Sequence, residues 1–208
     1  MGGGPALDGG GAGPRVSTPA PGSLDVLRRE GAVLVVVDMQ EKLLPAIAEK
    51  GRVLRNTVLL LRAARELELP VVLTTQYEKG LGPTVPEVLA EAAGATPVDK
   101  LAFGCFGSDE FLARLAALPG RDQLVVAGIE SHICVAQTVL GALGEGYQVH
   151  VATDAVGSRH EDDRQVGLRR MERAGAVLSS TEMAVYELLA RSDGAAFKRL
   201  LPYLKADR

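Results

Sequence analysis

From Gly31 onward, short apolar runs rich in β-branched residues alternate with longer segments in which apolar residues return every three or four positions. The short runs predict strands at Ala32 to Val37, Pro70 to Thr75, Thr96 to Asp99, Gln123 to Ala127, Gln148 to Thr153 and Ala176 to Ser179. Most of them are apolar on both faces, as a strand must be when helices cover the sheet from both sides. Between them, Val53 to Leu67 carries Val53, Leu54, Val58, Leu61 and Ala64 at helical spacing, and Cys134 to Leu143 repeats apolar residues in the same way. Gly51, Pro70, Gly120, Gly146 and Gly175 fall at the junctions, where helices stop and turns begin. This βαβ order predicts an α/β fold: a three-layer αβα sandwich around a mainly parallel, six-stranded, Rossmann-like sheet.

Residues 1–22 break the pattern. They hold 8 of the 24 glycines and 4 of the 11 prolines, with almost nothing large enough to pack, and read as a disordered tail ahead of one domain spanning residues 23–208. Charge and cysteine usage narrow the partners. Lys and Arg total 23 against 26 Asp and Glu, so there is no global positive field for nucleic acid or an anionic membrane face. The longest apolar run, Ala32 to Val37, is far too short to cross a bilayer. Two cysteines cannot build a disulfide framework, which points to a reducing, cytoplasmic compartment. With only three histidines and no paired cysteine spacing, no metal site is expected.

In an open parallel sheet, ligands collect beyond the carboxyl ends of the strands, so the residues that follow each apolar run carry the chemistry. Asp38 follows the first run and Lys100 the third; the fourth leads into Gly128-Ile129-Glu130-Ser131-His132-Ile133-Cys134. An acid, an amine and a thiol thus share one edge. Asp38 sits directly after five apolar residues and needs a partner to offset its desolvation. Lys100 is the only lysine between Lys79 and Lys198. Cys134 opens a helical pattern, and a helix N-terminus with an ammonium nearby is expected to lower its pKa below the free value of about 8.5. Cys105, between Gly104 and Phe106, reads as packing.

These three strand ends resemble the isochorismatase-like cysteine hydrolase family. The matching segments are Val35 to Gln40, Lys100 to Phe106 and Gly128 to Val135; Gln76-Tyr77 and Gly80 to Glu87 are most similar to its isochorismatase domain-containing branch. The resemblance implies that Cys134 is a nucleophile toward a carboxamide or related acyl carbon, passing through a covalent thioester and cleaving a C–N bond. It makes Asp38 the general base and later proton donor, and Lys100 the cation that orients Asp38. It further implies an oxyanion hole from the backbone N–H groups of Glu130 and Cys134, and a cis peptide between Ile129 and Glu130. Isochorismatases proper typically lack the cysteine, and nicotinamidases usually place metal-binding histidines after the first Asp. Here Met39 and Gln40 follow it, so no cofactor is implied.

Gln40, Tyr77, Phe103 and Phe106 are expected around the substrate pocket, where apolar and aromatic walls supply shape. His132 reads as structural, and Glu130 is expected to turn its charge away from the oxyanion site, toward an arginine. The expected partners are a small-molecule substrate and further copies of the chain, as a homodimer or homotetramer, with neither nucleic acid nor membrane. Two other readings compete: a catalytically silent binding or scaffolding protein on the same fold, and a redox-sensing thiol protein.

Overall fold

A computed structural model of the protein describes residues 26–92 and 94–206. The tail read at residues 1–22 lies outside them. The element order is β1 (Ala32–Val37), α1 (Lys50–Leu67), β2 (Val71–Gln76), α2 (Glu78–Leu81), α3 (Pro86–Glu91), β3 (Val98–Lys100), α4 (Asp109–Ala116), β4 (Gln123–Ile129), α5 (Ala136–Gly144), β5 (Gln148–Gly157), α6 (Glu161–Arg173), β6 (Val177–Ser179), α7 (Thr181–Leu189) and α8 (Ala195–Lys205). The six strands form one sheet in the order β3-β2-β1-β4-β5-β6, and every pairing is parallel.

Strand alternation splits the core into two layers. In β1, Ala32, Leu34 and Val36 face a cluster built with Val53, Leu60, Leu61 and Ala64 of α1, Val88 of α3, Val185 of α7 and Leu200 of α8. Val33, Val35 and Val37 face the opposite cluster, with Phe111 and Leu115 of α4, Val139 and Ala142 of α5, and Leu168 and Met171 of α6. All six β1 residues are buried, which is why that run shows no polar alternation. Capping follows the local sequence: Ser108 and Ser180 accept from the backbone N–H groups of Phe111 and Met183 at the starts of α4 and α7.

The strand order positions the site. The chain builds outward from β1 to β2 and β3, then returns to place β4 on the other side of β1. The reversal lies between β1 and β4, and a crevice opens beyond their carboxyl ends at such a point. Among the described residues, no helix is long and apolar enough to cross a membrane.

Candidate active site

Asp38 is the first residue past β1, its backbone in the left-handed region at φ 50° and its side chain wholly buried. Donors surround the carboxylate. Lys100 Nζ lies 2.7 Å from Oδ2, and the Thr74 hydroxyl donates to Oδ1 at 2.7 Å. The Cys134 thiol is near enough for the Asp38 carboxylate to raise its pKa. Lys100, the last residue of β3, is itself buried and gives a second bond to Gln76 Oε1 at 2.9 Å. Because β2 lies between β1 and β3, Lys100 reaches Asp38 across the strand that carries Thr74 and Gln76. Gln76 directly follows the second apolar run, as the strand-end rule requires, whereas Thr74 lies inside that run and the rule does not select it. The signal for Thr74 is a Thr-Thr-Gln ending on an otherwise apolar strand.

Cys134 arrives from the other side of the reversal. β4 ends at Ile129, the Ile129–Glu130 peptide is cis, and Ser131–Val135 form a π-helical turn before α5 begins at Ala136. The thiol therefore sits inside a widened turn and not at the first residue of a regular helix, as its apolar spacing predicts. Its acidity is corrected in the same direction. Burial above all, and then the negative charge of Asp38, push the Cys134 pKa up to about 12; Lys100 acts the other way without overcoming them. At rest Cys134 is therefore a neutral thiol beside a carboxylate.

Three contacts clamp this turn from outside. Glu130 turns toward Arg159, whose backbone N–H and Nε donate to Oε2 at 2.9 and 3.2 Å. The His132 ring has Nδ1 2.9 Å from Ser158 Oγ and Nε2 3.9 Å from Asp163. Gly167 of α6 brings the helix against the turn, since a Cβ there would lie 2.9 Å from Ser131 O and 3.0 Å from His132 Cα. Gly167→Ala is expected to lower turnover at least tenfold while the melting temperature moves by only a few degrees. The reason is that the helix gains about 1 kcal/mol of propensity while the turn is displaced. Steady-state kinetics beside thermal unfolding check it, and unchanged kinetics would mean that α6 does not set the position of Cys134.

The pocket residues divide. Tyr77 and Phe103 follow the ends of β2 and β3 with half of their surface open, at 48% and 56% exposure. Gln40 is buried, and its carboxamide is taken up by the chain: Oε1 accepts from Gln76 N–H, and Nε2 donates to Gln76 O and Gly82 O. It fastens the segment after β2 to the end of β1 instead of facing a ligand. Phe106 is a correction of a different kind. It packs edge-on against Phe111 and Tyr147, with centroids 5.3 and 6.1 Å away, and lines a cleft with Arg121, Asp122 and Tyr147. Asp122 and Tyr147 immediately precede β4 and β5, so Phe106 belongs to the opposite edge of the sheet.

Cys105 is more than filler. Its sulfur lies 3.9 Å from Thr74 Oγ1, one hydroxyl behind Asp38, and burial pushes its pKa up to about 11. Both thiols hold their protons more tightly folded than unfolded. Stability is then level below about pH 9, where both states are protonated. It falls as pH rises toward about 11 for Cys105 and about 12 for Cys134, because only the unfolded chain ionises in that window. The slope is expected to approach about 1.4 kcal/mol per pH unit per thiol. Urea unfolding at pH 8 to 10.5 should show a shallower decline in Cys105→Ala; an equal decline would remove this thiol from the linkage.

Among the described residues, no group of three His, Cys, Asp or Glu side chains is placed to hold a metal ion. The sequence profile of the isochorismatase domain matches residues 32–183. Isochorismatase domain-containing protein 2 of Danio rerio is 38% identical over 174 residues, covering 84% of this chain and 87% of the relative. A structure named as the MAR1 ribonuclease of Caenorhabditis elegans superposes with a TM-score of 0.82 at 34% identity, over 88% of this chain and 94% of that one. The YcaC gene product of Escherichia coli, described as an octameric hydrolase of unknown specificity, gives 0.80 at 31% identity, over 86% and 90%.

Proposed function

The chain belongs to the isochorismatase family, and from that premise we propose that it is a cysteine hydrolase that cleaves the C–N bond of a carboxamide or related acyl compound. One observation carries the reading: a buried Asp38–Lys100 ion pair whose carboxylate stands near enough to the Cys134 thiol to raise its pKa. A thiol beside a base needs no standing thiolate population. As sulfur attacks the carbonyl carbon, its proton passes to Asp38, and negative charge collects on the carbonyl oxygen. Backbone N–H groups of Glu130 and Cys134 receive that oxyanion. The tetrahedral adduct collapses, the C–N bond breaks, and the Asp38 proton leaves with the amine. Water then gives a proton to Asp38 as it attacks the thioester; acid is released and the thiol restored.

Lys100 pairs with the Asp38 carboxylate and fixes its direction. Glu130 bonded to Arg159 keeps its own charge occupied away from the oxyanion position. Self-association belongs to the same proposal, as a homodimer or homotetramer, and the octameric E. coli relative supports assembly of copies.

The test mixes the protein with a panel of small carboxamides and with RNA, reading ammonia release, intact mass and oligonucleotide products. The expected result is ammonia together with an acyl adduct on Cys134 that is absent from Cys134→Ser. Ammonia without any dependence on Cys134, or cleavage of RNA alone, would overturn the reading.

A further inference from the structure

The chain leaving β2 and β3 beside the buried Asp38–Lys100 pair carries apolar side chains that face solvent. Leu101 and Phe103, at 76% and 56%, are the two most exposed large apolar side chains among the described residues, and Tyr77 is 48% exposed. Isolated exposed apolar residues need no explanation; a group of them around a reaction centre does. The sheet register puts this group there. Gln76 and Lys100 are partners across β2 and β3, so Tyr77 and Leu101 leave neighbouring strand ends together. Two bonds tie them: Tyr77 N–H to Lys100 O and Gln76 Nε2 to Leu101 O, both at 3.0 Å. From Leu101 the chain crosses to Gly104, where a Cβ would lie 3.0 Å from Cβ of Gln137, three residues beyond Cys134. Phe103 therefore stands between the end of β3 and the helix that follows the thiol.

Tyr77 is also held in place. Its backbone is in the left-handed region at φ 42°, a conformation that costs a tyrosine on the order of 1 kcal/mol or more. Its ring covers Gly80 so closely that a Cβ there would lie 2.3 Å from Cε1. With half of its surface open, it forms a fixed aromatic shelf.

Among the described residues, the charges named around the thiol are already paired. Lys100 is bonded to Asp38 and Gln76, Asp38 is bonded to Thr74 and Lys100, and outside them Arg159 is bonded to Glu130. A charged group carried in on the acyl side would lose water and find no free counter-ion beside the sulfur. Resting on the cysteine-hydrolase reading, we infer that the substrates are neutral carboxamides with an apolar alkyl or aryl acyl group, which lies along Leu101, Phe103 and Tyr77 while the carbonyl sits at Cys134.

Two measurements test this. The first is kcat/KM for ammonia release from acetamide, butanamide, pentanamide, benzamide and succinamate. It is expected to rise about twofold to fourfold per methylene along the alkyl series, with succinamate at least tenfold below butanamide. Leu101→Gln should compress the pentanamide-to-acetamide ratio several-fold, whereas Met183→Gln, another exposed apolar position, on α7, should leave it unchanged. The second is calorimetric binding of the same amides to Cys134→Ser, which reads the rim without chemistry. Turnover with no chain-length trend, or with succinamate preferred, overturns the apolar rim and leaves the hydrolase. A binding trend without turnover keeps the rim and overturns the hydrolase. Neither trend nor turnover overturns both. Loss of oligomeric mass in Leu101→Gln by sedimentation would assign the rim to a second copy of the chain and overturn it as a substrate surface.

Discussion

Asp38→Asn is expected to lower kcat at least a thousandfold while making the Cys134 thiol more acidic. The two effects run in opposite directions because Asp38 does two things. Its charge is among the causes that push the Cys134 pKa up to about 12, and Asn removes it while Lys100 remains. More thiolate should then form at a given pH, which by itself would speed attack. Turnover nevertheless collapses, because Asn can neither take the thiol proton nor return one to the departing amine, and general acid–base catalysis of this kind supplies about 10² to 10⁴ per step. Ammonia release and thiolate absorbance, followed against pH on the same sample, separate the two. If the variant recovers wild-type turnover at high pH, where its thiolate is abundant, Asp38 is only an electrostatic neighbour and the base role is gone.

Lys100→Met is expected to cost about 3 to 5 kcal/mol of stability, the largest effect of any single substitution in the site. The pair has no side-chain exposure on either partner, so removing the ammonium strands a carboxylate away from water. Thr74 still donates to it, but carries no charge. The double variant Asp38→Asn/Lys100→Met should recover at least half of the loss, because nothing ionic is then left unpaired, while remaining inactive. Urea unfolding of the four proteins in a double-mutant cycle reads this directly. Additive losses would mean that the two groups do not depend on each other, and a cost below about 1 kcal/mol for the lysine alone would mean that water reaches the pair.

Backbone pattern was legible at the centre of the sheet and less so at its rim. The apolar run Ala32 to Val37 matches β1 residue for residue, because a strand with neighbours on both sides and helices on both faces leaves no polar position to blur its ends. At the other strands the bounds move by one to several residues; β5 runs on to Gly157, through a register shift against β4. Asp38, Lys100 and Cys134 could be selected because strand ends in a parallel sheet converge whatever the intervening sequence. Thr74 could not, since it lies inside a strand and what distinguishes it is that this strand runs between β1 and β3. Phe106 shows the converse: closeness to Lys100 along the chain is not closeness in space, because its ring packs against Phe111 and Tyr147. The acidity of Cys134 is not legible for a related reason. Dipole and ammonium are visible locally, whereas burial and an approaching carboxylate arise only when residues 38 and 134 meet.

The neutral resting sulfur bears on how the protein could be inhibited. Haloacetamides and similar alkylating agents draw on thiolate already present, and Cys134 offers them little near neutral pH. Nitriles and aldehydes behave differently: their adducts form as the proton leaves sulfur for an adjacent base, so Asp38 takes part in the capture itself. Among the many acidic thiols of a cell, selectivity for this one would come from electrophiles that stay inert until such a base stands beside them.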